Sequence, residues 1–142
     1  MVDAAITTAL KRFSISEDHQ RLLFMLPVLY VAKADGKISM KESFIAGMNA
    51  PGLGVAATDP QEKKMLQSLV IQFCQKADLD DLKVATDAVN AKLSEYPEDE
   101  SASIRKHIRD ACLKVAEASG PIFRDKVTPE EYAMLQRIFE AI

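Results

Sequence analysis

Apolar residues recur three and four positions apart along nearly the whole chain, and cap and breaker residues separate the runs where a strand protein would show alternation. Seven helices and no strand follow from that pattern. The first, about Asp3 to Phe13, places Ile6, Leu10 and Phe13 on one face. The second opens at Ser16, with Glu17 and Asp18 beside the positive end of the helix dipole, and runs to about Ala34. It carries the longest apolar run, Leu22 to Ala32, which reads as a buried central helix and is far shorter than the ~20 residues that span a bilayer. Pro27 cannot donate to the carbonyl of Leu23, so a kink is expected there.

The third helix starts at Ser39 with Glu42 three residues on, a capping box in which each side chain bonds the other's backbone N–H. It ends near Ala50, where Pro51, Gly52 and Gly54 open a flexible loop. Asp59, Pro60 and Glu62 offer a cap, a first-turn proline and a box partner for a fourth helix with Leu66, Leu69, Val70 and Phe73 on one stripe. Asp78 to Asp81 start a fifth, carrying Leu82, Ala85, Val89 and Leu93 until Pro97 blocks it. A sixth runs from about Ser101 to Ala118 with its stripe at Ile104, Ile108, Ala111, Val115 and Ala118. The seventh opens at Thr128, with Pro129 next and Glu131 completing another box, and presents Tyr132, Leu135, Phe139 and Ile142. A second flexible loop is expected from Gly120 to Lys126.

Two segments repeat. Val31-Ala32-Lys33-Ala34-Asp35-Gly36-Lys37-Ile38-Ser39-Met40-Lys41-Glu42 parallels Val115-Ala116-Glu117-Ala118-Ser119-Gly120, then five extra residues, then Lys126-Val127-Thr128-Pro129-Glu130-Glu131. In each, a glycine lets the chain leave a helix in the left-handed region, Ile38 or Val127 tucks back toward the core, and Ser39 or Thr128 caps the next helix. Each unit is therefore a helix, a tight turn and a helix.

The pattern Val-Ala-Lys-Ala-Asp-Gly-Lys-Ile-Ser-x-x-Glu, after a hydrophobic helix and echoed near the C-terminus, resembles the TerB (tellurite-resistance protein B) family. That resemblance implies one all-α domain over residues 1–142, a compact bundle with two pseudo-symmetric helix-turn-helix units. It further implies a bacterial cytoplasmic protein of the tellurite and chemical stress response, working with other proteins at the inner face of the membrane. Acidic residues in the family's two turns are proposed to bind a divalent cation, here calcium, manganese or zinc. Asp35 and Glu42 match the first turn and Glu131 the end of the second. Ser119 stands where an aspartate is expected, and Asp125, within the insertion Pro121 to Asp125, restores a carboxylate.

The same turn also overlaps the EF-hand calcium loop at Asp35, Gly36, Ile38 and Glu42, but Val31 and Lys33 occupy that loop's first and third ligand positions. A true EF-hand is excluded. The alternative to a cation site is local: Asp35 bonds turn amides and Glu42 serves only its capping box.

Composition changes little in this picture. At 142 residues, 48% apolar and 27% charged, the chain is of ordinary size and makeup for one globular domain. A net charge of −3 gives no electrostatic reason to expect nucleic acid. Met1 to Lys11 lacks the pattern of a secretory signal, and Cys74 and Cys112, without paired spacing, read as small core residues.

The remaining chemistry is thin. His19 and His107 have no Glu or second His at metal-ligand spacing, and Asp110 one turn beyond His107 sits among charged neighbours. Arg105, Lys106 and Arg109 form the only basic cluster, a solvated face that is able to meet an acidic partner or lipid headgroups. Met25, Met40, Met48, Met65 and Met134 suit either core filling or an adaptable binding groove. No nucleophile has a base near it, so the expected function is a non-enzymatic protein-interaction module. The alternative is a metal-dependent helical enzyme using Asp35, Glu42 and Glu131 as ligands.

Overall fold

The computed structural model describes residues 4–34, 38, 40–55, 59–75, 79–118 and 129–142. Among them are seven α-helices and no strand: α1 (Ala4–Arg12), α2 (Leu26–Lys33), α3 (Met40–Asn49), α4 (Pro60–Gln75), α5 (Leu82–Leu93), α6 (Glu98–Ala118) and α7 (Pro129–Ala141). Short 3₁₀ segments occupy Glu17–Met25, Pro51–Leu53 and Leu79–Asp81. The bundle is arranged around α2, which packs against α3, α4, α5, α6 and α7. Every residue from Leu22 to Ala32 is buried, which is why that run is apolar on all sides and not amphipathic. α1 covers α5 on the outside.

Proline acts more strongly than a kink. The single helix expected from Ser16 to Ala34 is two elements, because the Leu23 carbonyl that Pro27 cannot serve is taken by the Leu26 N–H in a 3₁₀ bond. Upstream of that break the chain keeps 3₁₀ geometry from Glu17, interrupted at His19 (φ −128°, ψ 43°). Ser16 caps this segment as expected, its hydroxyl accepting from the Asp18 N–H at 3.2 Å.

Two corners close in the same way. At the end of α1 the Ile15 N–H donates to the Leu10 carbonyl at 2.8 Å and the Ser14 N–H to Lys11 at 3.4 Å, with Ser14 left-handed at φ 56°. After α3 the Val55 N–H reaches the Ala50 carbonyl at 2.9 Å and the Gly54 N–H reaches Pro51 at 2.9 Å, with Gly54 at φ 77°. Both are Schellman corners, in which the paired bonds satisfy orphan carbonyls and the residue after the corner, Ile15 or Val55, is buried. The loop expected to be flexible from Pro51 is thus anchored at its start by buried Leu53 and Val55.

Aromatic contacts knit the layers. Phe73 of α4 stacks on Phe13, just past the end of α1, at 5.9 Å and meets Tyr30 of α2 edge-on at 5.0 Å, so α2, α4 and the corner after α1 converge on one cluster. Lys33, in the last turn of α2, donates to the Cys74 carbonyl at the end of α4 at 2.9 Å, a cation placed where the helix dipole is negative. Asn90 of α5 also satisfies a helix-end carbonyl, its neutral side-chain amide donating to the Ala141 carbonyl of α7 at 2.7 Å.

Three expectations are corrected. α6 begins at Glu98, not Ser101, because Pro97 starts the helix and Glu98, Asp99 and Glu100 suit its positive end. On α7 the buried stripe is Glu131, Met134, Leu135 and Ile138, and Tyr132 is exposed, one position out of phase with it. Cys112 is in the core, its thiol pKa pushed up by burial, whereas Cys74 is exposed on α4. Among the described residues, no helix is long and apolar enough to cross a membrane.

Candidate functional site

Three features have the chemistry to do something beyond holding the fold. The first is a pair of carboxylates at helix starts. Glu42 in the first turn of α3 and Glu131 in the first turn of α7 are 1% and 0% exposed, the most deeply buried charged side chains among the described residues. Burying a carboxylate is costly unless hydrogen bonds and favourable fields hold it, and the first turn of a helix supplies both. Each is engaged by a partner within the structure.

α3 and α7 both pack against α2 and α6, so the two carboxylates are presented by helices that share the same two neighbours. The other expected ligands, Asp35 and Asp125, lie outside the described residues, as do Ser39, Thr128 and the two turn glycines. Among the described residues, no three His, Cys, Asp or Glu side chains gather as a metal cluster.

The second feature is a polar pocket of about 660 Å³ that the sequence did not reveal. His19, which lines it, meets Asp59, 40 positions away in the chain, with Nε2 and Oδ2 at 3.2 Å. Asp59 does two jobs, since its Oδ1 accepts from the Gln61 N–H at 2.9 Å and so caps α4. The His19 hydrogen bond, then the Gln61 N–H, hold the Asp59 carboxyl below the usual aspartate value. Arg21, Lys92, Glu95 and Tyr96 complete the walls, and Lys92 is tied to Gln20 at 2.9 Å. Among the described residues that line this pocket there is no serine, threonine or cysteine. The His19–Asp59 pair pins the start of α4 to the 3₁₀ segment.

The third feature is on α3. Met40, Phe44 and Met48, four residues apart, form one ridge along the helix and are 91%, 66% and 63% exposed, while Glu42 and Ala46 on the other side are buried. Single exposed apolar residues are ordinary, but three large ones in a row on one helix are not. Beside the ridge a groove of about 640 Å³ runs between α3 and α4, walled by Ser43, Gly47, Leu66, Val70 and Ile71 with Met25 behind. A Cβ added at Gly47 would meet nothing within 4 Å, so the absent side chain keeps this groove open.

The methionines divide accordingly. Met25 and Met134 are core, Met65 is half-buried, and Met40 and Met48 face outward. Sequence spacing could not separate these roles, because α3 carries apolar residues on both sides and only packing decides which side faces the core. The basic cluster on α6 also splits. Arg105 and Arg109 are partly buried, with Arg109 held 5.7 Å from the Phe139 ring, and Lys106 is exposed beside exposed His107, so two of the three cations serve packing. Comparison with known proteins found no match for this chain among protein-family models, curated proteins or solved structures.

Proposed function

We propose that this chain is a non-enzymatic interaction domain that docks another protein on the face formed by α3 and α4. The observation that carries the reading is the exposed ridge Met40, Phe44 and Met48 beside an open apolar groove. Leaving three such side chains in water forgoes burial worth roughly 1.5–3 kcal/mol each, and a partner that covers them recovers it. The biological setting rests on the resemblance to TerB-like proteins: an accessory role in bacterial tellurite and chemical stress, in the cytoplasm and alongside proteins at the inner membrane face.

The finer arrangement, two helix-turn-helix units about a pseudo-twofold axis, is part of the same proposal. It is supported by the cross-packing of the elements, with α3 on α6, α7 on α2, and α2 on α6. A second reading is favoured by the complete burial of Glu42 and Glu131 at corresponding helix starts. In it, these two with Asp35 and Asp125 hold a calcium, manganese or zinc ion that ties the two turns together, and titration calorimetry tests it.

Docking is tested by placing a photo-crosslinking amino acid at position 48 on the ridge and, as control, at exposed position 117 on α6. In the native host the ridge probe is expected to yield discrete adducts that the control does not. Identical adduct patterns from both positions would remove the docking reading.

A further inference from the structure

The charges around the α3–α4 face differ from those of the chain as a whole, and they say what kind of partner fits it. Met40, Phe44 and Met48 share their side of α3 with Lys41, which precedes Phe44 by three residues and Met48 by seven. On α4, Lys63 lines the groove, and Lys64 precedes Gln67 by three residues and Ile71 by seven, which puts it on the rim with them. All three lysines are exposed. The acidic residues of the same helices are turned away: Glu42 is buried, and Glu62 lines the polar pocket on the other side of α4. On an acidic chain of net charge −3, the exposed charges that α3 and α4 carry on this face are therefore, among the described residues, Lys41, Lys63 and Lys64.

Shape narrows the choice further. Met40 and Met48 are about 12 Å apart along the helix axis, two turns of helix, and the groove beside them is concave. An amphipathic helix fits such a groove by laying residues spaced three and four apart into it, with Gly47 allowing close approach. A second copy of this chain docked by the same face would set lysines against lysines, which disfavours a symmetric dimer there. A bilayer surface is flat and would leave the groove floor unfilled.

We propose that the occupant of the α3–α4 groove is an amphipathic helix of a partner protein that carries acidic side chains beside its apolar stripe. This rests on the docking reading above and adds the chemistry of the partner. The apolar stripe supplies affinity, while the carboxylates, facing Lys41, Lys63 and Lys64, supply orientation and a salt-dependent association rate.

The test uses the full chain and a fluorescein-labelled designed peptide of about four helical turns, with leucines at helical spacing flanked by glutamates, and a twin in which lysines replace the glutamates. Anisotropy titrations at low salt are expected to give saturable binding of the glutamate peptide and at least tenfold weaker binding of the lysine twin, roughly what one lost ion-pair set gives. Gly47→Leu, which fills the groove at a position with open space, and Phe44→Ser, at an exposed position, should each weaken binding about tenfold. The double change Lys63→Glu with Lys64→Glu should reverse the order of the two peptides.

If the lysine twin binds as well as the glutamate peptide and Gly47→Leu removes both, the acidic-partner inference is overturned while the docking face stands. If neither peptide binds, or binding ignores Gly47→Leu and Phe44→Ser, the docking face itself falls. Two further results would replace the proposed occupant: sedimentation showing a dimer that Phe44→Ser dissociates, or binding to vesicles containing phosphatidylglycerol, lost in the same variants, where the peptide does not bind.

Discussion

Ser14 carries a conformation that suits glycine better. It is the left-handed residue of the corner that ends α1, and an L side chain there crowds the following carbonyl. Gly54 holds the equivalent place in the corner after α3, where an added Cβ would come within 2.6 Å of an Arg21 guanidinium nitrogen. The contrast gives a prediction: Ser14→Gly should stabilise the domain by roughly 1 kcal/mol, the left-handed penalty less the entropy of a freer unfolded chain. Urea unfolding measures it, and an unchanged or lower midpoint would mean that Ser14 is not strained. At this scale the sequence was partly legible. Asp59 announced its cap of α4 because Pro60 and Glu62 follow it, whereas the Ser14 corner had no glycine to mark it. The His19–Asp59 pair was invisible, since no local spacing joins residues 40 positions apart.

At the scale of elements, the helices and their starts were the readable part. The stripes Leu66, Leu69 and Phe73 on α4 and Leu82, Ala85, Val89 and Leu93 on α5 are buried as their spacing required. What spacing could not supply was the partner of each face. α7 is instructive: its buried stripe includes a glutamate, and a reading that follows apolar residues alone selects Tyr132 in its place. The same blind spot hides the depth of Glu42. Both residues were expected to cap, and a solvent-facing cap and a buried one look identical in sequence. Their burial sharpens the cation test. Calorimetric titration of the metal-free protein with calcium, manganese and zinc should give saturable heat for at least one ion, lost in Glu42→Gln and in Glu131→Gln. Variants that bind like the parent, or a parent that binds none, would leave these carboxylates as caps alone.

For the whole molecule, the all-helical architecture followed from periodicity, and the central place of α2 from its unbroken apolar run. The proposed docking surface did not follow. Met40, Phe44 and Met48 could equally have been core, and their exposure is decided by which side of α3 meets α2 and α6. Once that is settled, the exposed charges that α3 and α4 carry beside the ridge are Lys41, Lys63 and Lys64, with Glu42 buried and Glu62 at the polar pocket. The most direct measurement of this account is backbone amide mapping by NMR as the unlabelled glutamate peptide is added to isotopically labelled protein. Shift changes should concentrate on Met40 to Met48 and Lys63 to Ile71 and, in Gly47→Leu, need about tenfold more peptide to develop. Changes centred on α6 or on the His19 pocket, or scattered over the fold, would contradict it.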